Sequence, residues 1–237
     1  MQQPFIFFTM KNSLFFLLVM AFTQTYAQEL LFSSGINTTR YEYKNAQGQV
    51  NENIEDSSGA FYEIGYIQPL GIKDRLTYNL GLTLNEYNAL GGDLNTLNTW
   101  QTKYLGLKTG VAYALISTRG GFKANFNFAL QASSIVDGVQ FMNGRSFDLT
   151  KENDFKGIFL QPIGGIDFSY LVADKLSLGL GYQYSQSSKI TNKTAESLNF
   201  LNHQLQFKLL LHLKKNKNQD LPEEIKADLV IEQTANQ

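Results

Sequence analysis

Leu176-Ser177-Leu178-Gly179-Leu180-Gly181-Tyr182-Gln183-Tyr184-Ser185 decides the fold. Every second residue is leucine or tyrosine, and each residue between is serine, glycine or glutamine. A period of two marks an extended strand with two chemically different faces, because successive side chains leave a strand on opposite sides. The pattern recurs on both sides of this stretch. Leu76, Tyr78, Leu80, Leu82 and Leu84 oppose Thr77, Asn79, Gly81, Thr83 and Asn85, and Phe122, Ala124, Phe126, Phe128 and Leu130 oppose Lys123, Asn125, Asn127, Ala129 and Gln131. Downstream, His203, Leu205, Phe207, Leu209, Leu211 and Leu213 oppose Asn202, Gln204, Gln206, Lys208, Leu210 and His212.

The same test along the chain gives eight strands, near 29–43, 60–69, 75–87, 99–116, 122–134, 157–171, 176–186 and 198–213. The intervening segments 44–59, 88–98, 135–156 and 187–197 are long and polar, whereas 70–74, 117–121 and 172–175 are tight. An even number of strands whose long connections all fall at one end predicts an up-and-down barrel, with short periplasmic turns and longer extracellular loops. Each strand also reaches the ~9–11 residues needed to cross a bilayer obliquely.

Charge decides which face looks outward. Of 20 basic and 21 acidic residues, the strand cores contain only Glu63, Arg75, Lys103, Lys108, Lys123, Asp167 and Lys208. A soluble barrel needs a water-facing surface rich in charge. Here the polar face is Gly, Asn, Ser, Thr, Gln and Ala, which suits a narrow packed lumen. The apolar face then meets lipid, where a midplane charge costs about 2–4 kcal/mol. Aromatic residues are assigned to two interfacial girdles: Tyr78, Tyr113, Phe122 and Tyr170 at the periplasmic boundary, and Tyr62, Tyr87, Trp100, Tyr182 and Phe200 at the outer one. Pro162 falls inside the sixth strand and removes a ladder donor, predicting a bulge; Pro69 sits at a strand end. Gln68-Pro69-Leu70-Gly71 and Gln161-Pro162-Ile163-Gly164 are alike, over too few residues to establish a duplication.

The fold class read from these patterns is all-β: an eight-stranded antiparallel up-and-down transmembrane β-barrel with a short C-terminal tail. It resembles the small outer-membrane β-barrel family of the OmpA/OmpX-like type, over roughly residues 28–213. Glycine-aromatic strands such as Tyr104-Leu105-Gly106-Leu107-Lys108-Thr109-Gly110 and Leu176-Ser177-Leu178-Gly179-Leu180-Gly181-Tyr182 carry the resemblance. There is a weaker similarity to PorT-like barrels. The resemblance implies outer-membrane lipid as surroundings, the barrel-assembly machinery as a partner in biogenesis, and a structural, adhesive or secretion-accessory role. One departure is that the chain runs 24 residues past Leu213 instead of stopping on a terminal aromatic.

Residues 1–27 read as a cleaved signal peptide: Lys11, the apolar run Leu14–Phe22, and Thr25-Tyr26-Ala27 before Gln28. Met10 offers an alternative start. Residues 28–213 form the barrel and 214–237 a periplasmic tail, in which Asp220 and Pro222 fit the start of a short helix. That tail is read foremost as a frayed terminus.

Chemistry-bearing motifs are few. A formal charge of −1 with no basic block gives no footprint for nucleic acid, and zero Cys removes disulfides, thiolate zinc sites and a lipoprotein anchor. No cofactor or metal site is expected from two histidines without a carboxylate cluster. His203, on the apolar face near the outer boundary, has no local serine, so a lipid-modifying barrel enzyme is an alternative and not the first reading. An exported soluble lipocalin-like barrel around an apolar ligand is another. The lumenal charges Glu63, Asp167, Lys108, Lys123 and Lys208 form the candidate network, with Glu63, Asp167 and Lys208 at similar depth and expected to pair across the lumen. Eight strands leave an interior just wide enough for side chains, so binding is placed on the extracellular loops, whose ligand or protein partner is not named by the sequence.

Overall fold

The structure is a computed structural model that describes residues 29–49, 53–70, 75–93, 96–190 and 197–213. The predicted signal peptide at 1–27 and the tail at 214–237 lie outside the described residues. The chain forms β1 (Glu29–Lys44), β2 (Ile54–Leu70), β3 (Leu76–Asp93), β4 (Thr96–Ser117), β5 (Phe122–Met142), β6 (Arg145–Asp148), the single 3-10 turn η1 (Leu149–Lys151), β7 (Ile158–Ala173), β8 (Leu176–Lys189) and β9 (Ser197–His212). Every pairing is antiparallel, and β1 pairs with β9 from Glu29↔His212 to Lys44↔Ser197. The wall is therefore a closed barrel of eight strands, with β6 a short flap hydrogen-bonded to the outer end of β5. Closure satisfies the backbone groups that an open sheet edge would leave bare in lipid.

The alternating pattern settles inside from outside. Phe32, Ile64, Leu82, Leu107, Phe128, Phe168, Leu180 and Leu205 are exposed on the exterior, whereas Ser33, Asn37, Glu63, Thr83, Gln131, Asp167 and Gln206 are buried in the lumen. A soluble ligand-binding barrel requires the opposite arrangement, so the lipocalin-like alternative is overturned. The exterior apolar stretch from Leu105 to Leu115, at about 3.3 Å per residue and a tilt of about 40°, covers roughly 25 Å, the height of a membrane band.

Three expectations need correction. The segment 88–98 is not a long loop: β3 and β4 continue upward in register until only residues 94 and 95 lie between them. Long and short connections thus do not alternate throughout. Parts of the predicted loops 44–59 and 135–156 likewise belong to β2 and β5. Secondly, no bulge forms at Pro162. Leu160↔Ser188 and Ile163↔Ser185 keep one register, Pro162 pairs with Leu130 on its other side, and between these two pairs the ladder to β8 skips Gln161 and Pro162. Skipping hydrogen bonds accommodates the missing N–H without an inserted residue. The register shifts lie instead at Asp56/Phe61, Lys103/Tyr104, Ala114/Ile116 and Leu171/Ala173.

The outer girdle, thirdly, is only partly formed from the aromatic residues assigned to it. Tyr62 and Tyr182 face outward, as do Tyr113 and Tyr170 at the other end, but Tyr87 and Phe200 are fully buried in the lumen. Trp100 pairs with the buried Ala89 and packs against the same interior cluster. Their parity explains it: Tyr87 shares a face with Thr83 and Asn85, and Phe200 shares one with Asn202 and Gln204.

Candidate functional site

The lumen is the site that the sequence singled out, and one strand displays its whole depth. From the periplasmic end outward, the inward face of β9 carries His212, Leu210, Lys208, Gln206, Gln204, Asn202, Phe200 and Leu198. Histidine, cation, amides and then apolar groups succeed one another, with partners on other strands for His212, Lys208, Gln204, Asn202 and Phe200.

At the periplasmic floor, His212 Nδ1 lies 2.9 Å from Glu29 Oε1 and its Nε2 lies 2.8 Å from Ser177 Oγ. The sequence reading missed this contact, although His212 stands on the same face as Gln204 and Gln206. Lys123 sits at this end, in electrostatic reach of Glu29 and paired in register with Ser169.

Above the floor, the other four candidate charges form two separate pairs. Lys108 Nζ donates to Glu63 Oε2 at 2.5 Å, with side-chain exposures of 5% and 1%. Lys208 Nζ lies 2.6 Å from Asp167 Oδ1, while Asp167 Oδ2 accepts from Asn127 Nδ2 at 2.7 Å. Glu63 and Lys208 both flank Ser33 in register, yet neither takes the other as its partner. Each pair runs along the wall and steps over one strand: β2 to β4 across β3, and β7 to β9 across β8.

Glycine makes both steps feasible. Gly81 of β3 is opposite Lys108 in register, and a Cβ there would come within 3.0 Å of Glu63 Oε1. Gly181 of β8 is opposite Asp167, and a Cβ there would overlap Asp167 Oδ1. Small polar-face residues, read in the sequence as generic lumen packing, are thus the floor on which the ionic side chains lie.

The next tier is neutral. Thr83 Oγ1 donates to Gln131 Oε1, Gln131 Nε2 to Gln161 Oε1, Gln161 Nε2 to Ser185 Oγ and Gln206 Nε2 to Gln204 Oε1. Side-chain amides carry both donors and acceptors, so a chain of them runs around the wall without net charge, its two parts joined by Gln204 Nε2 donating to Asn85 Oδ1 and Asn85 Nδ2 to Thr83 Oγ1. Tyr87 links this tier to the one above by donating to Gln161 Oε1 at 2.8 Å.

The outer tier is an aromatic plug. Phe200 is its hub, with ring centroids 4.9 Å from Tyr41, 5.0 Å from Tyr87, 5.2 Å from Phe159 and 5.4 Å from Tyr104. The tyrosine hydroxyls are satisfied inside the wall: Tyr41 donates to the Tyr87 carbonyl and Tyr104 to the Phe155 carbonyl. Phe155 and Leu149 enter this cluster from the β5–β7 connection, not from a strand. That connection folds inward over the mouth, held also by Lys189 Nζ donating to the Asn153 carbonyl.

Asp148 fixes the start of the inward fold. Its carboxylate accepts from the Thr150 hydroxyl at 2.6 Å and the Thr150 N–H at 2.9 Å, with Lys151 Nζ at 3.0 Å. These contacts, the Thr150 hydroxyl foremost, hold its pKa down to about 2. Because the folded value is lowered, the cap is complete at neutral pH and is lost as pH falls from about 4 through about 2. The protection factor of the Thr150 amide against hydrogen exchange is expected to fall in that window. In Asp148→Ala it should be low at every pH; protection equal to wild type at neutral pH would show that Asp148 does not cap the turn.

On the outer wall, His203 faces outward as its parity predicts, and its Nδ1 meets the Tyr182 hydroxyl at 2.7 Å. Tyr184 packs edge-on at 5.3 Å.

No protein-family model and no curated protein matches the chain. Among solved structures, it is similar to Neisserial surface protein A at 14% identity and a TM-score of 0.42, over 77% of this chain and 96% of that one. It is similar to Ail, the attachment invasion locus protein of Yersinia pestis, at 10% identity and a TM-score of 0.41, over 78% and 100%. For OprG from Pseudomonas aeruginosa the values are 11%, 0.43, 78% and 97%. The wall itself carries the conclusion: eight strands closed without an edge, an apolar exterior of membrane height and a polar, ion-paired interior make this chain an integral outer-membrane β-barrel.

Proposed function

We propose that the barrel is noncatalytic and non-conducting, and that it serves the envelope at its outer rim in a structural, adhesive or secretion-accessory role. The observation that supports this reading is the filled lumen, in which ion pairs, amides and aromatic rings succeed one another from floor to mouth. A pore needs a continuous water path, and an interior of eight strands is taken up by its own side chains. Side chains that fill the interior leave the rim as the surface for a partner.

The rim has a defined projection. β5 and β6 form a hairpin turned by Asn143 and Gly144, both at positive φ, and Phe141 and Phe147 are exposed on it. Asn-Gly is the pair that a two-residue hairpin turn favours, because both positions require a left-handed backbone. Exposed aromatics on a rigid projection suit contact with a protein or surface partner.

Two measurements test the reading. Refolded protein in planar bilayers is expected to give no sustained conductance, and a stable open channel would replace the rim role by transport. A Phe141→Ser/Phe147→Ser variant is expected to keep the heat-dependent gel shift of a folded barrel while losing adherence or secretion support in cells. Full support by that variant would remove the hairpin from the function.

A further inference from the structure

The outer wall has a concavity that the rim role leaves unused. A groove of approximately 690 Å³ runs across β9, β1, β2 and β3 to Leu105 of β4, with Phe32, Ser34, Tyr62, Ile64, Leu82 and Phe207 among its outward-facing lining. Its volume falls within the ~300–1,000 Å³ of small-ligand sites. Ser34 is the reason for it. In register it lies between Tyr62 and Phe207, and its small side chain stands where its neighbours are large. The groove reaches the outer limit of the apolar residues at Tyr62 on β2 and lies mid-band on β1 and β9, where Ile36 and Leu205 stand further outward.

A second, independent feature lies directly above it. Four residues further outward on the same strands, about 13 Å along each, Ser34 gives way to Thr38, Tyr62 to Ser58 and Phe207 to His203. Thr38 pairs in register with both Ser58 and His203, and its hydroxyl is 3.3 Å from that of Ser58. The Tyr182 hydroxyl on His203 Nδ1 fixes the ring, and among the described residues Nε2 has no hydrogen-bond partner, which leaves it for a ligand. This row carries hydroxyls and an imidazole and no formal cation. Next to it Arg40 grips Asp56 through Nε at 2.7 Å and Nη2 at 3.1 Å, and the Glu86 carboxylate accepts the Ala60 N–H at 3.0 Å, an anion that disfavours a phosphate. A row of neutral donors and acceptors matches sugar hydroxyls better than a bare phosphate, which would call for an unpaired cation.

We propose that this wall binds an outer-leaflet glycolipid, with an acyl chain lying in the groove over Ser34 and a glycosyl headgroup on Ser58, Thr38 and His203. The proposal rests on the membrane-embedded reading of the barrel and is independent of the rim role. It makes the β9–β1–β2 side of the barrel the preferred lipid face, the remainder being in contact with exchanging lipid.

The test uses the full-length mature protein in nanodiscs of equimolar monoglucosyl-dipalmitoylglycerol and dipalmitoylphosphatidylcholine, which share acyl chains and differ in headgroup. Lipid retained after release is counted by native mass spectrometry. Wild type is expected to retain the glucosyl lipid about fivefold over the phosphatidylcholine, the worth of roughly one net hydrogen bond. Ser34→Phe, which fills the groove from the lipid side, and His203→Leu, which removes the headgroup contact, are each expected to bring the two lipids to parity. Equal retention by wild type, or a preference that persists in either variant, overturns the proposal. Heat-dependent gel mobility is read on all three proteins. Loss of the shift in wild type would count against the membrane barrel itself, whereas a normal shift without lipid preference overturns the glycolipid site alone.

Discussion

Phe200→Ala is expected to destabilise the barrel by about 3–5 kcal/mol, the cost of emptying a phenylalanine site in a packed interior. Phe200 has no exposed surface and contacts four other aromatic rings, so its removal strips packing from strands β1, β3, β4 and β7 at once. Collapse to fill the space is hindered because the surrounding rings are tethered by their own hydroxyls, Tyr41 to the Tyr87 carbonyl and Tyr87 to Gln161. Phe200→Leu keeps most of the volume and is expected to lose less than half as much. The chain's single tryptophan supplies the readout, since Trp100 packs against this cluster and its fluorescence follows the plug as denaturant is raised. Unfolding of Phe200→Ala at the wild-type midpoint would show that the outer end of the barrel is held by its backbone ladder alone. Conductance is expected to stay closed in this variant, because the amide and ion-pair tiers lie beneath the plug.

The plug also marks where sequence reasoning reached its limit. Strand number, order and facing follow from alternation wherever one face meets lipid and the other the lumen, as in β8, where leucines and tyrosines oppose serines and glycines. Above the membrane both faces lose that contrast. Ile54–Gly59 of β2 carries polar residues on either side, so the pattern fades while the hydrogen-bond ladder continues to β3. Tyr87 and Phe200 were legible by parity, but aromatic residues at the height of an interface invite the girdle reading whichever way they point. Leu149 and Phe155 were not legible: no periodicity marks a loop that folds back into a barrel mouth. The charged residues of the lumen could be found by their rarity in strand cores. Their partners depended on which wall positions are glycine, and that requires the register.

Those partners set the second large effect. Lys108→Met is expected to destabilise the barrel by about 3–5 kcal/mol, because it leaves the Glu63 carboxylate buried without its cation. The loss should be largely recovered in Lys108→Met/Glu63→Leu, since an apolar pair of similar volume removes the uncompensated charge together with its partner. Lys208→Met provides the comparison. Asp167 is more exposed than Glu63, at 11% against 1%, and keeps the Asn127 amide at 2.7 Å when the lysine is gone. Its stranded charge therefore retains a donor and some solvent, so Lys208→Met is expected to lose less stability than Lys108→Met. Gly81→Ala and Gly181→Ala extend the argument from the ions to the wall beneath them. A methyl at Gly181 overlaps Asp167 Oδ1, whereas one at Gly81 meets Glu63 Oε1 at 3.0 Å, so the Gly181 variant should be the more damaging of the two. Denaturant midpoints in detergent for the four single variants and the double variant decide the matter. If Lys108→Met cost no more than Lys208→Met, or the double variant fell below Lys108→Met, lumenal water would be screening both charges and the pairs would not organise the interior.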